Sequence, residues 1–535
     1  MEYLLSADEM KACDDRTIHK IGIPSAVLME RAALSVVEEM RHAGLDLTRT
    51  LVVCGSGNNG GDGFAIARIL AQNASLFQDY AVSEMSSDTC DVTLAFVGKE
   101  MSMTEETALQ RKICENSGLK ISRNFMEHEY TVIVDAIFGI GLSRPVEGHY
   151  ADVIRWINSQ NAKKVAVDIP SGVSADNGRV CGVCVEADLT VTFACRKVGQ
   201  LLYPGALYCG QLICRDIGIS VRNHSRTAVE DEAAADTETK PYVFTYTKRD
   251  LARIPKRRAD SNKGTFGKVL LIAGSEGMSG AAILAAKAAF RSGCGMVRVF
   301  TPECNRTVVQ TCLPEAIVTA YEPGSSKEHM LKLLADALFW SDAAGIGPGL
   351  GTSLPAAALL EYVLEYYDKP LVIDADGLNL LAEKNSRWNL CRQSKADGCL
   401  RSCSNIIVTP HIGEMARLTG MERTLISAKL ISAAKNYAAQ NDVICVLKDA
   451  RTVVSDGREV YLNTSGNDGM AVAGSGDVLT GVICGLLAQK LPCRQAAMLG
   501  VYLHGLAGDL AKTELGAYGM MAGDIADRIG IVLRN

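Results

Sequence analysis

Along the first 220 residues, apolar positions alternate between two periods. Met29, Ala32, Ala33, Val36, Val37 and Met40 recur at helical spacing, which sets one helix face against a core. Ser6, with Glu9 three positions on, forms a capping-box pattern that starts an earlier helix. Short apolar runs at Thr50–Cys54, Asp91–Val97, Thr131–Ile137, Lys164–Ile169 and Leu189–Ala194 read as strands. Strands separated by helices imply a mostly parallel sheet covered on both faces. From Ser220 to Pro241 the pattern stops. Glu230 to Asp236 is acidic with little to bury, so this stretch reads as a linker. A second series follows, with strands expected at Lys268–Ala273, Met296–Phe300, Pro370–Ile373, Ile406–Thr409 and Val443–Leu447, then a helix-rich, glycine-rich last hundred residues. The expectation is two α/β domains, 1–220 and 243–535, joined by an acidic linker over 221–242.

Bulk properties narrow the function classes. A chain of 535 residues exceeds one ordinary core. Its 48% hydrophobic and 22% charged residues suit a globular protein, and a net charge of −6 offers no basic face for nucleic acid. The N-terminus MEYLLSADEM lacks the features of a signal peptide, and no apolar run is long enough to span a membrane. A cytoplasmic location follows as an expectation, with the 18 cysteines read as mostly reduced, buried thiols. Cys181 and Cys184 have CxxC spacing, but a redox or zinc site needs thioredoxin context or a second ligand pair, and neither is evident. Cys391, Cys399 and Cys403 fall in a polar stretch, Asn389 to Asn405, that reads as a surface insertion.

The chemistry of the first half collects after its strands. Gly55-Ser56-Gly57-Asn58-Asn59-Gly60-Gly61-Asp62-Gly63 follows the strand ending at Cys54, ahead of an apolar helix expected from Phe64. Strand, glycine loop and helix is a context for binding an anion through backbone N–H groups, and Gly55-x-Gly57-x-x-Gly60 has the form of the dinucleotide fingerprint. No clear acidic residue follows about 20 positions on, and a tight turn without a ligand is the alternative. Asp135 and Asp168 end two further strands and lead into Gly139-Ile140-Gly141-Leu142-Ser143-Arg144-Pro145 and Ile169-Pro170-Ser171-Gly172. A lone Asp there is more often a cap or turn former. Three glycine loops, two of them with an Asp, point instead to one ligand crevice at the carboxyl ends of the strands.

The runs NNGGDG, VDAIFGIGLSRP and VDIPSGVSAD together resemble the NAD(P)H-hydrate epimerases, over about residues 1–220. The resemblance implies a Rossmann-like domain that equilibrates the R and S forms of the C6 hydrates NADHX and NADPHX. It implies nucleotide contacts from Asn58, Asn59, Gly60, Gly61 and Asp62, and from Gly139, Ile140, Gly141, Leu142, Ser143, Arg144 and Pro145, with Tyr150 close by. It implies potassium held by Asn59, Asp135 and Ser171, and acid–base work at the ring by Asp168. Oxygen ligands suit a hard cation, and a crevice carboxylate suits proton transfer.

The second half carries its motifs in order: Gly274 to Ala282, Gly345 to Gly351, Asp374-Ala375-Asp376-Gly377-Leu378-Asn379, Thr409 to Glu414, Lys448 to Thr452 and Asn467 to Asp477. A glycine loop opening a helix beside Asp477 offers an anion hole and a base, which phosphoryl transfer to an alcohol requires. Alone, that loop could be a structural turn, and His411 a satisfied loop histidine. The series over residues 243–535 resembles the ADP/ATP-dependent NAD(P)H-hydrate dehydratases of the ribokinase-like superfamily. The resemblance implies a nucleotide bound by Lys448, Asp449, Ala450, Arg451, Thr452 and Gly476, a hydrate bound by Ala281, Gly349, His411 and Asp477, Asp477 as base, and Mg²⁺ with ADP or ATP. That family usually has two glycines before Ser/Thr-Gly-Asp, whereas here Ala473 precedes Gly474.

The expected enzyme epimerises both hydrates and dehydrates the S form with ADP, giving AMP and phosphate. Its partners are small molecules, with no nucleic acid or membrane, and a homo-oligomer is expected. The alternative is a ribokinase-like kinase of a small alcohol with a non-catalytic front domain. Domains resembling the first half also serve as scaffolds in RNA-associated proteins, but a pure scaffold would not need Asn59, Asp135, Asp168 and Ser171 together.

Overall fold

Residues at alternate positions of the first strands belong to opposite cores. Val52, Cys54, Val132, Val134 and Ala136 pack into one cluster with the helix face of Ala32, Val36 and Met40. Leu51, Val53, Ala95 and Ile133 pack into another with Ala151, Ile154 and Ile157. A period of two with both faces buried is the mark of a parallel sheet between helix layers. In the computed structural model, residues 1–79, 90–221, 243–322, 324–383 and 405–534 are described. The chain divides into two units, Tyr3–Pro241 and Tyr242–Asn535, the latter also taking in Met1–Glu2. The expected linker, apart from residue 221, and the cysteine-bearing stretch 389–404 lie outside the described residues.

The first unit holds six parallel strands, Arg49–Cys54, Asp91–Phe96, Val132–Ala136, Lys163–Val167, Leu189–Phe193 and Gln211–Arg215. Numbered along the chain, they lie in the order 2-1-3-4-5-6. The order reverses at the strand Arg49–Cys54, so a crevice opens beyond Cys54 and Ala136, which are paired in register. Helix Ala7–Asp15 starts with the expected capping box at Ser6. It passes directly into a π-helical segment, Arg16–Ile21, and the apolar-spaced helix runs Ser25–His42.

The helix after the first strand does not wait for Phe64. It spans Asn58–Asp79, so the NNGGDG run forms its first turns. Glycine is a poor helix former, but here close packing demands it. A Cβ on Gly60 would stand 2.0 Å from the Gly55 carbonyl oxygen, and one on Gly63 2.6 Å from the Ala136 side chain.

In the second unit, neighbouring strands run Val243–Thr245, Val460–Leu462, Val453–Ser455, Ile444–Leu447, Ile406–Val408, Leu371–Ile373, Ala343–Ile346, Lys268–Ile272, Met296–Pro302 and Ile317–Tyr321. From Ile444–Leu447 to Ile317–Tyr321 every pairing is parallel. The hairpin strands Val453–Ser455 and Val460–Leu462 are antiparallel. The sequence pattern did not mark Ala343–Ile346 as a strand because its side chains are small. The structure explains their size: a Cβ on Gly345 would meet Cys484 Sγ at 2.8 Å. That cysteine lies on helix Ser475–Ala488, whose residues from Val478 onward are all buried.

Candidate active sites

A cavity of about 720 Å³ occupies the crevice of the first unit. Asn58, Asn59 and Asp62 line it from the start of their helix, and Gly139, Ile140, Gly141, Leu142, Ser143 and Arg144 from the loop beyond the strand Val132–Ala136. Tyr150 and Asp168 also line it, with the Tyr150 ring 4.9 Å from that of Phe138. Gly60, Gly61 and Pro145 do not reach the cavity wall; Gly60 and Gly61 are buried and let the helix close on its neighbours.

Asp168 directly follows the strand Lys163–Val167 and adopts a left-handed φ of 64°. That region is sparsely used by residues other than glycine, and such backbones gather at functional sites. Here the conformation is held from all sides. The Asp168 N–H donates to the Val191 carbonyl at 2.8 Å, and Gln200 Nε2 donates to its carbonyl at 2.6 Å. Carboxylate Oδ1 accepts from Lys197 Nζ at 2.5 Å and Thr192 Oγ1 at 2.9 Å. Lys197 is 1% exposed. It also donates to Thr192 Oγ1 and the Phe193 carbonyl at 2.8 and 3.1 Å, so its three ammonium protons are all used. A buried charge pair of this kind persists only when both members are fully hydrogen-bonded.

Beneath the cavity floor, Asp135 and Ser171 meet directly. Asp135 Oδ1 accepts from Ser171 Oγ at 2.6 Å, and Oδ2 from the Ser171 N–H at 2.8 Å. Burial pushes the Asp135 carboxyl up to about 6 against these hydrogen bonds. Among the described residues no lysine or arginine pairs with it. Asn59 is buried with Nδ2 unpartnered, and it packs against Gly139, where an added Cβ would lie 3.3 Å from the Asn59 Cβ. Asp135 and Ser171 bring oxygen atoms together around a buried carboxylate that no lysine or arginine pairs with among the described residues, a donor type that suits a hard monovalent cation.

The second site gathers at the carboxyl ends of neighbouring parallel strands. Ile346 pairs with Ile373, and Ile373 with Val408. Beyond them lie Gly347–Gly351, Asp374, Thr409–His411 and Lys448. Asp374 is 1% exposed. Its Oδ1 accepts from Lys448 Nζ and its Oδ2 from Thr480 Oγ1, both at 2.7 Å. Burial lowers the Lys448 pKa, but the Asp374 and Glu414 carboxylates outweigh it and hold it above the usual range. A Cβ on Gly476 would stand 3.3 Å from Lys448 Nζ and 3.8 Å from Asp374 Oδ2. Gly476 therefore keeps the amino end of helix Ser475–Ala488 close to this pair.

Asp477 sits in that helix's first turn. Burial, then the neighbouring Asp374 charge, push its carboxyl up to about 6, with Lys448 opposing. His411 caps helix Ile412–Thr419, its Nδ1 accepting from the Gly413 N–H at 2.9 Å. Partial burial and the Lys448 charge lower its pKa. Gly349, at φ 56°, lies so near helix Ser279–Arg291 that an added Cβ would meet Ala281 Cβ at 2.9 Å. Residues 449–452 form the turn between strands Ile444–Leu447 and Val453–Ser455. Arg451 donates there to the Thr464 carbonyl at 3.3 Å. The left-handed residue of the glycine loop is Gly474, at φ 90°. Ala473 has no positive φ, so alanine there strains nothing. Cys181 and Cys184 are unbonded to each other, and burial pushes the Cys184 thiol up to about 12.

Two family models match the chain: "YjeF-related protein N-terminus" over residues 25–199 and "NAD(P)H-hydrate dehydratase" over residues 269–530. A bifunctional NAD(P)H-hydrate repair enzyme of Moorella thermoacetica is 37% identical, covering 100% of this chain and 97% of its own length. The Escherichia coli repair enzyme is 34% identical, over 97% of this chain and 92% of its own. The chain belongs to the bifunctional NAD(P)H-hydrate repair enzymes. Among solved structures, the ADP/ATP-dependent NAD(P)H-hydrate dehydratase of Bacillus subtilis, co-crystallised with ATP/Mg²⁺, is similar at 34% identity and a TM-score of 0.46, covering 54% of this chain and 97% of its own.

In this repair enzyme, motif reading left out the groups that set the charge of each site. Lys197, Thr192 and Gln200 have no motif spacing to Asp168; only the fold brings them to it. Asp374 stands in a motif, but its pairing with Lys448 and Thr480 spans 74 and 106 residues of sequence. Asp14 and Lys11, on helix Ala7–Asp15, line the first cavity although nothing in the sequence marks them.

Proposed function

We propose that the first unit epimerises R and S NADHX and NADPHX, and that the second dehydrates the S form with ADP, releasing AMP and phosphate. The observation that carries this reading is the presence of two separately built carboxylate sites, Asp168 and Asp477, in a chain similar along its whole length to bifunctional repair enzymes. The hydrate carbon C6 bears a hydroxyl and the ring nitrogen. The nitrogen lone pair expels the hydroxyl, and water returning on the other face gives the epimer. Asp168 moves the proton, while Asn58 to Asp62, Gly139 to Pro145 and Tyr150 hold the nucleotide. Potassium at Asn59, Asp135 and Ser171 would offset the buried Asp135 charge and stiffen the floor.

In the second unit, Asp477 takes the proton of the C6 hydroxyl as it attacks the terminal phosphoryl group of ADP. The helix amino terminus at Gly474–Gly476 and Lys448 face the transferred charge. Phosphate then leaves C6 with push from the ring nitrogen, C5 loses a proton, and the reduced nicotinamide ring is restored. Residues 448–452 and Gly476 hold the nucleotide; Ala281, Gly349 and His411 hold the hydrate. Mg²⁺ would accompany the nucleotide phosphates and neutralise part of their charge. The substrates are small molecules. We place the enzyme in the cytoplasm as a homo-oligomer, with domains at 1–220 and 243–535. Among the described residues no helix is long and apolar enough to cross a membrane.

The test is incubation of mixed R and S hydrates with no nucleotide, ADP or ATP, followed by chromatography. Epimer exchange without nucleotide, and nucleotide-dependent recovery of NAD(P)H with release of phosphate, are expected. A stable phosphoester product would instead show a small-alcohol kinase.

A further inference from the structure

Inverting C6 poses a problem that Asp168 alone does not solve. The hydroxyl leaves from one face of the ring and water arrives at the other. A proton must be given on the first face and taken on the second. Asp168 is fixed: its backbone is locked in the left-handed region, and its carboxylate is tethered to Lys197 and Thr192. It serves one face.

We propose that Asp14 is a second catalytic residue of the epimerase cavity, exchanging a proton on the ring face that Asp168 does not serve. This rests on the epimerase reading above. Asp14 lines the same cavity as Asp168, but from helix Ala7–Asp15 rather than from the sheet edge. That helix is anchored at its start: Ser6 and Glu9 close its capping box, and the Ala7 N–H donates to Asp176 Oδ1 at 2.7 Å. Two residues past Asp14 the chain enters the π-helical turns Arg16–Ile21, a rare geometry concentrated at functional sites.

The charged groups around Asp14 divide by role. Burial and the Asp168 charge push its carboxyl up to about 6, while Lys197 pulls the other way. Asp14 can therefore hold a proton in one half-reaction and release it in the other near neutral pH. Asp62 lines the cavity too, from the helix Asn58–Asp79, and burial with the Asp168 and Asp14 charges pushes its carboxyl well above the ordinary range, Lys197 opposing. Glu106 is engaged by Ser25 Oγ at 3.0 Å. Lys11 and Arg144 complete the charged lining, and their cationic side chains suit the nucleotide phosphates.

The step balances without a redox partner. With Asp14 protonated and Asp168 ionised, Asp14 gives its proton to the departing hydroxyl, the C6–O bond breaks, and water leaves beside an iminium ring. Water then attacks the opposite face, forming a new C6–O bond, and Asp168 takes its proton. The enzyme ends with the two protonation states exchanged, ready for the reverse epimer. Any epimerised molecule carries a solvent oxygen at C6.

The experiment uses the full chain with purified R or S hydrate, from pH 5 to 9, in water enriched in oxygen-18. Denaturant unfolding of the full chain, followed for the transition of the first unit, reports whether the unit that carries Asp14 is folded. Asp14→Asn should lower epimerase kcat by about 10²–10⁴-fold with little change in KM. It should also remove the pH-rate limb near 6, while Asp14→Glu restores part of both. Wild-type product should carry one oxygen-18 per turnover. Epimerisation by Asp14→Asn within about threefold of wild type, an unchanged pH profile, or product without solvent oxygen would each overturn the proposal. Wild-type enzyme that fails to epimerise at all would overturn the epimerase reading itself, so the two failures are distinguishable.

Discussion

Each half of this repair enzyme pairs a lysine with an aspartate at the end of a parallel strand, but the pairs do different work. In the first unit Lys197 binds Asp168, the proposed acid–base group itself. In the second, Lys448 binds Asp374, and among the described residues Asp477 has no ion-pair partner, its carboxyl raised to about 6. An ion-paired carboxylate is held in one position by its cation, which fixes the face it presents to a substrate. An unpaired, partly buried one holds a proton more readily and can cycle near neutral pH. The same two residue types thus play different parts, depending on which aspartate the lysine reaches.

The largest expected effect is at the unpaired carboxylate. Asp477→Asn should lower dehydratase turnover by about 10²–10⁴-fold while epimerisation persists. Its melting behaviour also follows from the raised pKa. A carboxyl whose folded pKa exceeds the unfolded value favours folding at low pH and loses that advantage as pH rises through about 6. Relative to wild type, Asp477→Asn should melt higher above pH 6 and equally below pH 4. Near-wild-type turnover in a folded Asp477→Asn protein would remove the catalytic role and leave a capping one.

The paired carboxylate should respond through stability as well. Lys197→Met strands a buried Asp168 charge, which costs about 3–5 kcal/mol. Denaturant unfolding should show the first unit weakened by that amount and epimerase activity lost, with dehydration retained. If both activities fall together, Lys197 supports the whole chain rather than one site. A smaller effect is expected at Thr480→Val, which removes one hydrogen bond to a buried charged group, worth about 1.5–3 kcal/mol. It should weaken the second unit alone, and a change below about 0.5 kcal/mol would show that Lys448 suffices to hold Asp374. The smallest effect is expected at Ala473→Gly. Since Ala473 has no positive φ, dehydratase turnover should stay within about twofold; a clear gain would mean that the loop needs the extra backbone freedom.

Much of the fold was legible because burial on both faces writes itself as apolar runs. The five strands read from the first half appear within a residue or two of their expected bounds. Strands whose side chains must stay small, such as Ala343–Ile346, carry no such signal, since the constraint comes from the helix lying over them. Glycine misled in the other direction. The run from Asn58 to Gly63 looked like a loop by propensity, yet it forms helix because its glycines permit contacts no other residue allows.

The sequence by itself determined the two α/β series, the order of their motifs and the family to which they point. These are local properties, set by periodicity and by short runs of residues. Only the tertiary structure decided which charges meet. Lys197 with Asp168, Lys448 with Asp374 and Thr480, and Asp14 in the epimerase cavity are juxtapositions across tens or hundreds of residues. A side chain's protonation depends on burial and on neighbours within a few ångströms, and chain order does not encode those distances until the sheet has formed.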